Sequence, residues 1–308
     1  MDEEMKLKTK DLLTLNELNK NELLEIIDNA IKMKTELRKG ISKPLLKNKT
    51  LAMIFHKPST RTRVSFEVGM FQLGGHALNL SSDELQLKRG ETIEDTAKTL
   101  SRYVDMIMAR VYFHEEVESL AKNSSVPVIN GLSDSFHPCQ ILADLMTIKE
   151  KKKKLAGLKL AWIGDGNNVC NSMIYGCSKA SIDVSIATPK GYAPNQNVIN
   201  ESKKLIDLQL LNDPVAAVKD ADIVVTDTFV SIHHKSTDRT KDFLPRFQIN
   251  TGLMKKANHN AIFMHCLPAK RGQEVTNEVI DGSQSVVWDE AENRLHAQKA
   301  LMVALSRV

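Results

Sequence analysis

The chain has 308 residues, 42% of them apolar, which suits about two domains of ordinary size with enough apolar content for two cores. Its 42 Lys and Arg against 38 Asp and Glu leave a formal charge of +4, and aromatic residues make up only 5%. So mild and dispersed a balance excludes a polyanion-binding surface as the first reading, and nucleic acid with it.

No apolar stretch approaches the length of a membrane span, and the opening "MDEEMKLKTKD" is charged where a signal peptide would be apolar. The four cysteines, Cys139, Cys170, Cys177 and Cys266, lack metal-type pair spacing. These features lead us to expect a reduced, soluble, cytoplasmic protein.

Asn19, with Glu22 three residues on, resembles a capping box, and Leu23, Ile26, Ile27, Ala30 and Ile31 mark one face of a helix that runs to Gly40. From residue 50 short apolar runs at 51–55, 77–80, 106–111 and 126–129 alternate with helical patterns, which argues for a parallel α/β sheet. A lysine run at 149–154 follows, expected to be a solvated helix end favourable to the dipole. The rhythm then restarts with "LKLAWIGDGNN", "DVSIATP", "ADIVVTDT" and "AIFMHCLP". The expected architecture is α/β, two doubly wound parallel-sheet domains joined by inter-domain helices, spanning 1–150 and 151–288. A last helix, 289–308, carries Leu295, Leu301 and Leu305 on its apolar side.

Ligands gather at the carboxyl ends of parallel strands, and here those ends hold "STRTR" (59–63), "ARVY" (109–112), "HPCQ" (137–140), "GDGNN" (164–168), "TDTFVS" (226–231) and "HCLP" (265–268). At 59–63 a helix start, two kinds of hydroxyl and a guanidinium could converge on one anion, with phosphate the natural guest. A plain helix cap with surface arginines would give the same residues. No Gly-x4-Gly-Lys loop is present, so nucleotide hydrolysis is disfavoured, and "GDGNNV" has Val169 where a dinucleotide fingerprint needs its third glycine. His137 suits either a satisfied interior histidine or, with Gln140 one turn on, a pair of hydrogen-bonding groups. Cys266 suits either a small buried hydrophobe or a thiol exposed near a basic site. Asp227 and Ser231 suit a polar turn or recognition of a cationic amine.

Taken together, "STRTR", "HPCQILADLMT", "WIGDGNN" and "FMHCLPA", in this order and spacing, resemble the aspartate/ornithine carbamoyltransferase family, and "HCLP" points to its ornithine branch. The resemblance implies a carbamoyl-phosphate-binding lobe, a lobe that binds L-ornithine, a last helix returning to the first lobe, and a homotrimer or a multiple of trimers. It implies carbamoyl transfer from carbamoyl phosphate to the δ-amine of ornithine, giving citrulline and phosphate with no metal or organic cofactor; a sibling reaction on putrescine or an N-acylated ornithine is the alternative. By position, Ser59, Thr60, Arg61 and Thr62 match the phosphate cradle, Arg110 the charge facing phosphate and carbonyl oxygen, His137 the donor to that oxygen and Gln140 the partner of the carbamoyl amide. Gln86 matches a residue lent to the adjoining subunit, and Arg294 the arginine returning from the last helix. Asn168, Asp227 and Ser231 match the ornithine-binding positions, with Cys266 and Leu267 beside the reactive amine. The branch usually has Ser-Met-Gly where this chain has Ser231, Ile232 and His233, so a differently shaped loop is expected there.

Overall fold

Asn19 starts the first helix, α1 (Lys20–Arg38), by the means its sequence suggests. Its side chain accepts from the N–H groups of Asn21 and Glu22, and Glu22 returns a carboxylate oxygen to the Asn19 N–H at 2.9 Å. Three backbone donors that the helix cannot pair internally are thereby satisfied. The computed structural model describes residues 7–81, 85, 90–230 and 239–307.

The chain divides into two compact units, Met1–Met146 with Glu292–Val308, and Thr147–Ala291. The first unit is built on four parallel strands, β1 (Thr50–Phe55), β2 (His76–Ser81), β3 (Met106–Arg110) and β4 (Val128–Leu132), in the order β2-β1-β3-β4. Helices α2 (Thr60–Gln72), α3 (Ile93–Leu100) and α4 (His114–Asn123) connect them. β1 is buried from Leu51 to Phe55, as a strand covered on both faces must be, whereas edge strand β2 alternates. Ala52, Ile54, Ile107, Ala109, Val117 and Leu120 share one core.

The second unit carries five parallel strands, β5 (Lys159–Ile163), β6 (Asp183–Ala187), β7 (Leu208–Leu211), β8 (Ile223–Thr226) and β9 (Ile262–His265), in the order β7-β6-β5-β8-β9. The apolar runs predict four of these. β7, "LQLL", is an edge strand with Gln209 and Leu210 exposed, so it lacks the continuous apolar signal of its neighbours. α6 (Asn168–Ala180), α7 (Gln196–Ser202), α8 (Pro214–Val218), α9 (Thr240–Phe243), α10 (Thr251–Met254) and α11 (Asn277–Ile280) fill the connections.

The unit boundaries fall inside two helices, α5 (Pro138–Lys152) and α12 (Val287–Leu305). Within the first unit α12 meets α2 and α1: Lys299 donates to Gln72 at 2.9 Å and the buried Lys34 to Asn293 at 2.7 Å. Gly69 of α2 lets the helices approach, since a Cβ there would lie 3.2 Å from Met302 Cε and 3.3 Å from Lys299 Cγ. Of the expected apolar side, Leu301 and Leu305 are buried and Leu295 half-buried. The lysine run does end α5, and two of its side chains have partners: Lys151 pairs with Asp289 at 2.8 Å and Lys152 donates to the Asn260 carbonyl.

Candidate active site

In an open parallel sheet a crevice forms where neighbouring connections leave in opposite directions, at the carboxyl ends of the strands. The two strand orders put that point between β1 and β3 in the first unit and between β5 and β8 in the second. Residues 59–63 follow β1, Arg110 ends β3, residues 164–168 follow β5 and Asp227 follows β8. The topology therefore selects four of the six polar strand ends singled out in the sequence.

In the first unit Ser59 is the N-cap of α2, its Oγ accepting from the Thr62 N–H at 3.4 Å. Thr60 and Arg61 are exposed on the first turn and Thr62 is buried. Phe55 pairs in register with Arg110, and the His56 N–H donates to the Arg110 carbonyl at 2.9 Å, which brings the β3 end beside the start of α2. Lys57, which the motif reading passed over although it adjoins "STRTR", stands 4.2 Å over the Tyr112 ring. Burial and the Arg110 charge hold its ammonium below the ordinary lysine range.

Arg294 of α12 is buried and held at three points. Nη1 donates to Gln140 Oε1 at 2.7 Å, Nη2 to Thr62 Oγ1 at 3.4 Å and Nε to Gln298 Oε1 at 3.0 Å. A guanidinium only donates, so the Gln140 oxygen must face it, and the Gln140 amide nitrogen then donates to Asp144 at 2.8 Å. His137, one residue before α5, is buried among the same groups. Burial drives its imidazole well below the usual histidine range, and the charges of Arg294, Arg110 and Arg61 push it the same way. It is neutral near pH 7, a donor on one nitrogen and an acceptor on the other. Its burial is that of an interior histidine.

In the second unit Asn167 caps α6, its Oδ1 accepting from the N–H groups of Val169 and Cys170, and its Nδ2 donates to Asp227 Oδ2 at 2.7 Å. The other carboxylate oxygen, Oδ1, accepts from the Thr228 N–H at 2.7 Å and from Cys266 Sγ at 3.2 Å. Cys266 is half-buried, and its thiol faces the Asp227 carboxylate. Asn168, the first residue of α6, is buried at the same strand end. Asp165 pairs with Arg239 at 2.9 Å, yet burial pushes its carboxyl up to about 6, with Asp227 adding to the shift and Arg239 opposing it.

The turn after β9 is held from beneath. The fully buried His265 accepts from the Leu267 N–H on Nδ1 at 2.9 Å, so its proton sits on Nε2, 3.1 Å from Glu274. Leu267 takes a left-handed φ of +57°, unusual for a branched side chain and affordable only where its surroundings over-determine it. Asp227, His265 and Cys266 could in principle offer a metal three ligand atoms within 4.8 Å of one another. Their hydrogen bonds already engage both Asp227 oxygens, both His265 nitrogens and the thiol. Gln86, Ser231, Ile232 and His233 lie outside the described residues.

Comparison with known proteins agrees with this arrangement of parts. Residues 10–150 match the carbamoyl-P binding domain of the aspartate/ornithine carbamoyltransferases, and residues 156–305 match the Asp/Orn binding domain. An ornithine carbamoyltransferase of Cenarchaeum symbiosum is 61% identical over 302 residues, covering 98% of this chain and 99% of that one. The solved ornithine carbamoyltransferase of Pyrococcus furiosus superposes with a TM-score of 0.91 at 55% identity over 95% of both chains. The anabolic enzyme of Campylobacter jejuni does so with a TM-score of 0.90 at 42% identity, covering 96% of this chain and 99% of that one.

Proposed function

The chain belongs to the aspartate/ornithine carbamoyltransferase family, and from that premise we propose how its residues carry out transfer of the carbamoyl group of carbamoyl phosphate to the δ-amine of L-ornithine. The products are L-citrulline and phosphate. The first unit holds carbamoyl phosphate and the second ornithine. Ser59, Thr60, Arg61 and Thr62, with the N–H groups at the start of α2, take the phosphate. Arg110 and Arg294 add charge, and Gln140 orients the carbamoyl amide. Asn168, Asp227, Ser231 and Ile232 bind ornithine, the first three taking its α-amino and carboxylate groups, and Cys266 and Leu267 serve the δ-amine. A ligand with both an α-amino group and a carboxylate favours ornithine over putrescine, which has no such pair.

The observation that carries this reading is the buried Arg294, which donates to Gln140 at 2.7 Å and to Thr62 at 3.4 Å and whose charge, after burial itself, helps to keep His137 neutral. Attack by the neutral δ-amine forms a C–N bond and puts negative charge on the carbamoyl oxygen; the C–O bond to phosphate then breaks and the nitrogen loses a proton. Thr62 and His137 donate to that oxygen while Arg110 balances its charge, so the stabilising dipoles are in place before the reaction starts. Fixed arginines likewise favour departure of phosphate.

The finer assignments follow the same logic. Gln86 serves a neighbouring copy in a homotrimer, and Val64, Val68 and Phe71, one exposed stripe of α2, supply apolar surface for such contacts. Free cysteines, three of them buried, suit the reducing cytoplasm; among the described residues no helix is long and apolar enough to cross a membrane. Incubation with carbamoyl phosphate and ornithine should yield citrulline and phosphate in equal amounts, and Arg61→Gln should abolish both. Near-normal turnover in that variant would contradict the phosphate-cradle assignment.

A further inference from the structure

Gln298 is fully buried on α12, in a stretch where Ala297, Ala300 and Leu301 are buried too. A primary amide in such a place is costly unless both of its ends are satisfied. Both are. Its oxygen accepts from Arg294 Nε at 3.0 Å, and its nitrogen donates to Ser65 Oγ at 2.8 Å.

The direction of every bond is determined. Arg294 has only donors, so Gln298 must present its oxygen there and its NH2 to Ser65. Ser65 accepts from that NH2 and donates its own proton to the Arg61 carbonyl at 2.6 Å. One chain of hydrogen bonds thus runs from the Arg294 guanidinium on α12, through Gln298 and Ser65, to the backbone of Arg61 in the first turn of α2.

We propose that Gln298 is a positioning residue for carbamoyl phosphate: it fixes the Arg294 guanidinium toward Thr62 and Gln140 and keeps it in register with the turn that carries Arg61. This inference rests on the functional reading above. Without Gln298 the guanidinium loses its Nε anchor and is held by its two Nη contacts alone, so the loss falls on binding of the anion and not on ornithine.

The test is steady-state kinetics with both substrates varied. Gln298→Met keeps the length of the side chain and removes donor and acceptor. It should raise KM for carbamoyl phosphate about tenfold, the size expected for one hydrogen bond to a charged group, with KM for ornithine unchanged. Ser65→Ala, at a half-buried position, should raise the same KM a few-fold, and serves if Gln298→Met does not fold. In an Arg294→Met background Gln298→Met should add nothing further, whereas a merely structural role would add its full effect. A wild-type KM for carbamoyl phosphate in Ser65→Ala and in any folded Gln298→Met, or full additivity with Arg294→Met, overturns the inference. A wild-type chain inactive with carbamoyl phosphate and ornithine overturns the functional reading, and this inference with it.

Discussion

His137 shows how much chemistry one side chain takes from its surroundings. Its imidazole is neutral because burial and three guanidiniums all oppose a second proton. Replacing it with asparagine should lower kcat by about 10²- to 10³-fold, the usual cost of removing one oxyanion donor, with a smaller change in KM for ornithine. The same environment has a consequence for stability. In the unfolded chain this histidine takes up a proton as pH falls through about 6.5, while the folded protein does not. The unfolded state therefore binds more protons below that pH, and stability falls as the solution is acidified. Urea unfolding at pH 7.5 and 5.5 should show a larger loss in wild type than in His137→Asn; equal losses would mean that His137 is not held neutral. The sequence exposed His137 as one of a pair with Gln140, but its protonation state depends on Arg61, Arg110 and Arg294, which are far apart in the chain.

At the scale of elements, the turn between β5 and α6 sets Asn167 against Asp227. Gly166 is in that turn because nothing larger fits: a Cβ would lie 2.3 Å from the Pro194 nitrogen and 2.5 Å from the Ala193 carbonyl carbon. These are backbone atoms and cannot rotate away. Gly166→Ala should destabilise the protein by about 1–3 kcal/mol, as overpacking does, and displace Asn167 from Asp227. KM for ornithine should rise while that for carbamoyl phosphate stays near wild type; the opposite pattern would show that this turn does not serve the amine. "GDGNN" was legible as a polar strand end, but not that Asn167 both caps α6 and braces a carboxylate sixty residues on. Strand β7 was missed for a related reason: at a sheet edge with one face in water, its sequence has no need of a continuous apolar run.

For the whole molecule, the alternation of apolar runs and helical patterns revealed two α/β sheets because buried parallel strands must be apolar on both faces. Strand order was not legible, since neither sheet follows the sequence, and it is the order that locates the crevices. Assembly is a property of this scale. Phe71, 81% exposed beside Val64 and Val68, should lie in the contacts of the proposed trimer. Phe71→Glu should shift the sedimentation coefficient from trimer toward monomer and reduce activity, because Gln86 would lose the neighbour it serves; an unchanged trimer would remove α2 from that interface.

The most direct test of the account is ureido-product formation from carbamoyl phosphate with ornithine, putrescine, N-acetylornithine and aspartate measured side by side. The kcat/KM for ornithine should lie well above those for the other three, since only ornithine offers both a free α-amino acid group, for the proposed site of Asn168, Asp227 and Ser231, and a δ-amine. Preference for any other amine would contradict the ornithine assignment and make residues 231–233 the determinants of specificity.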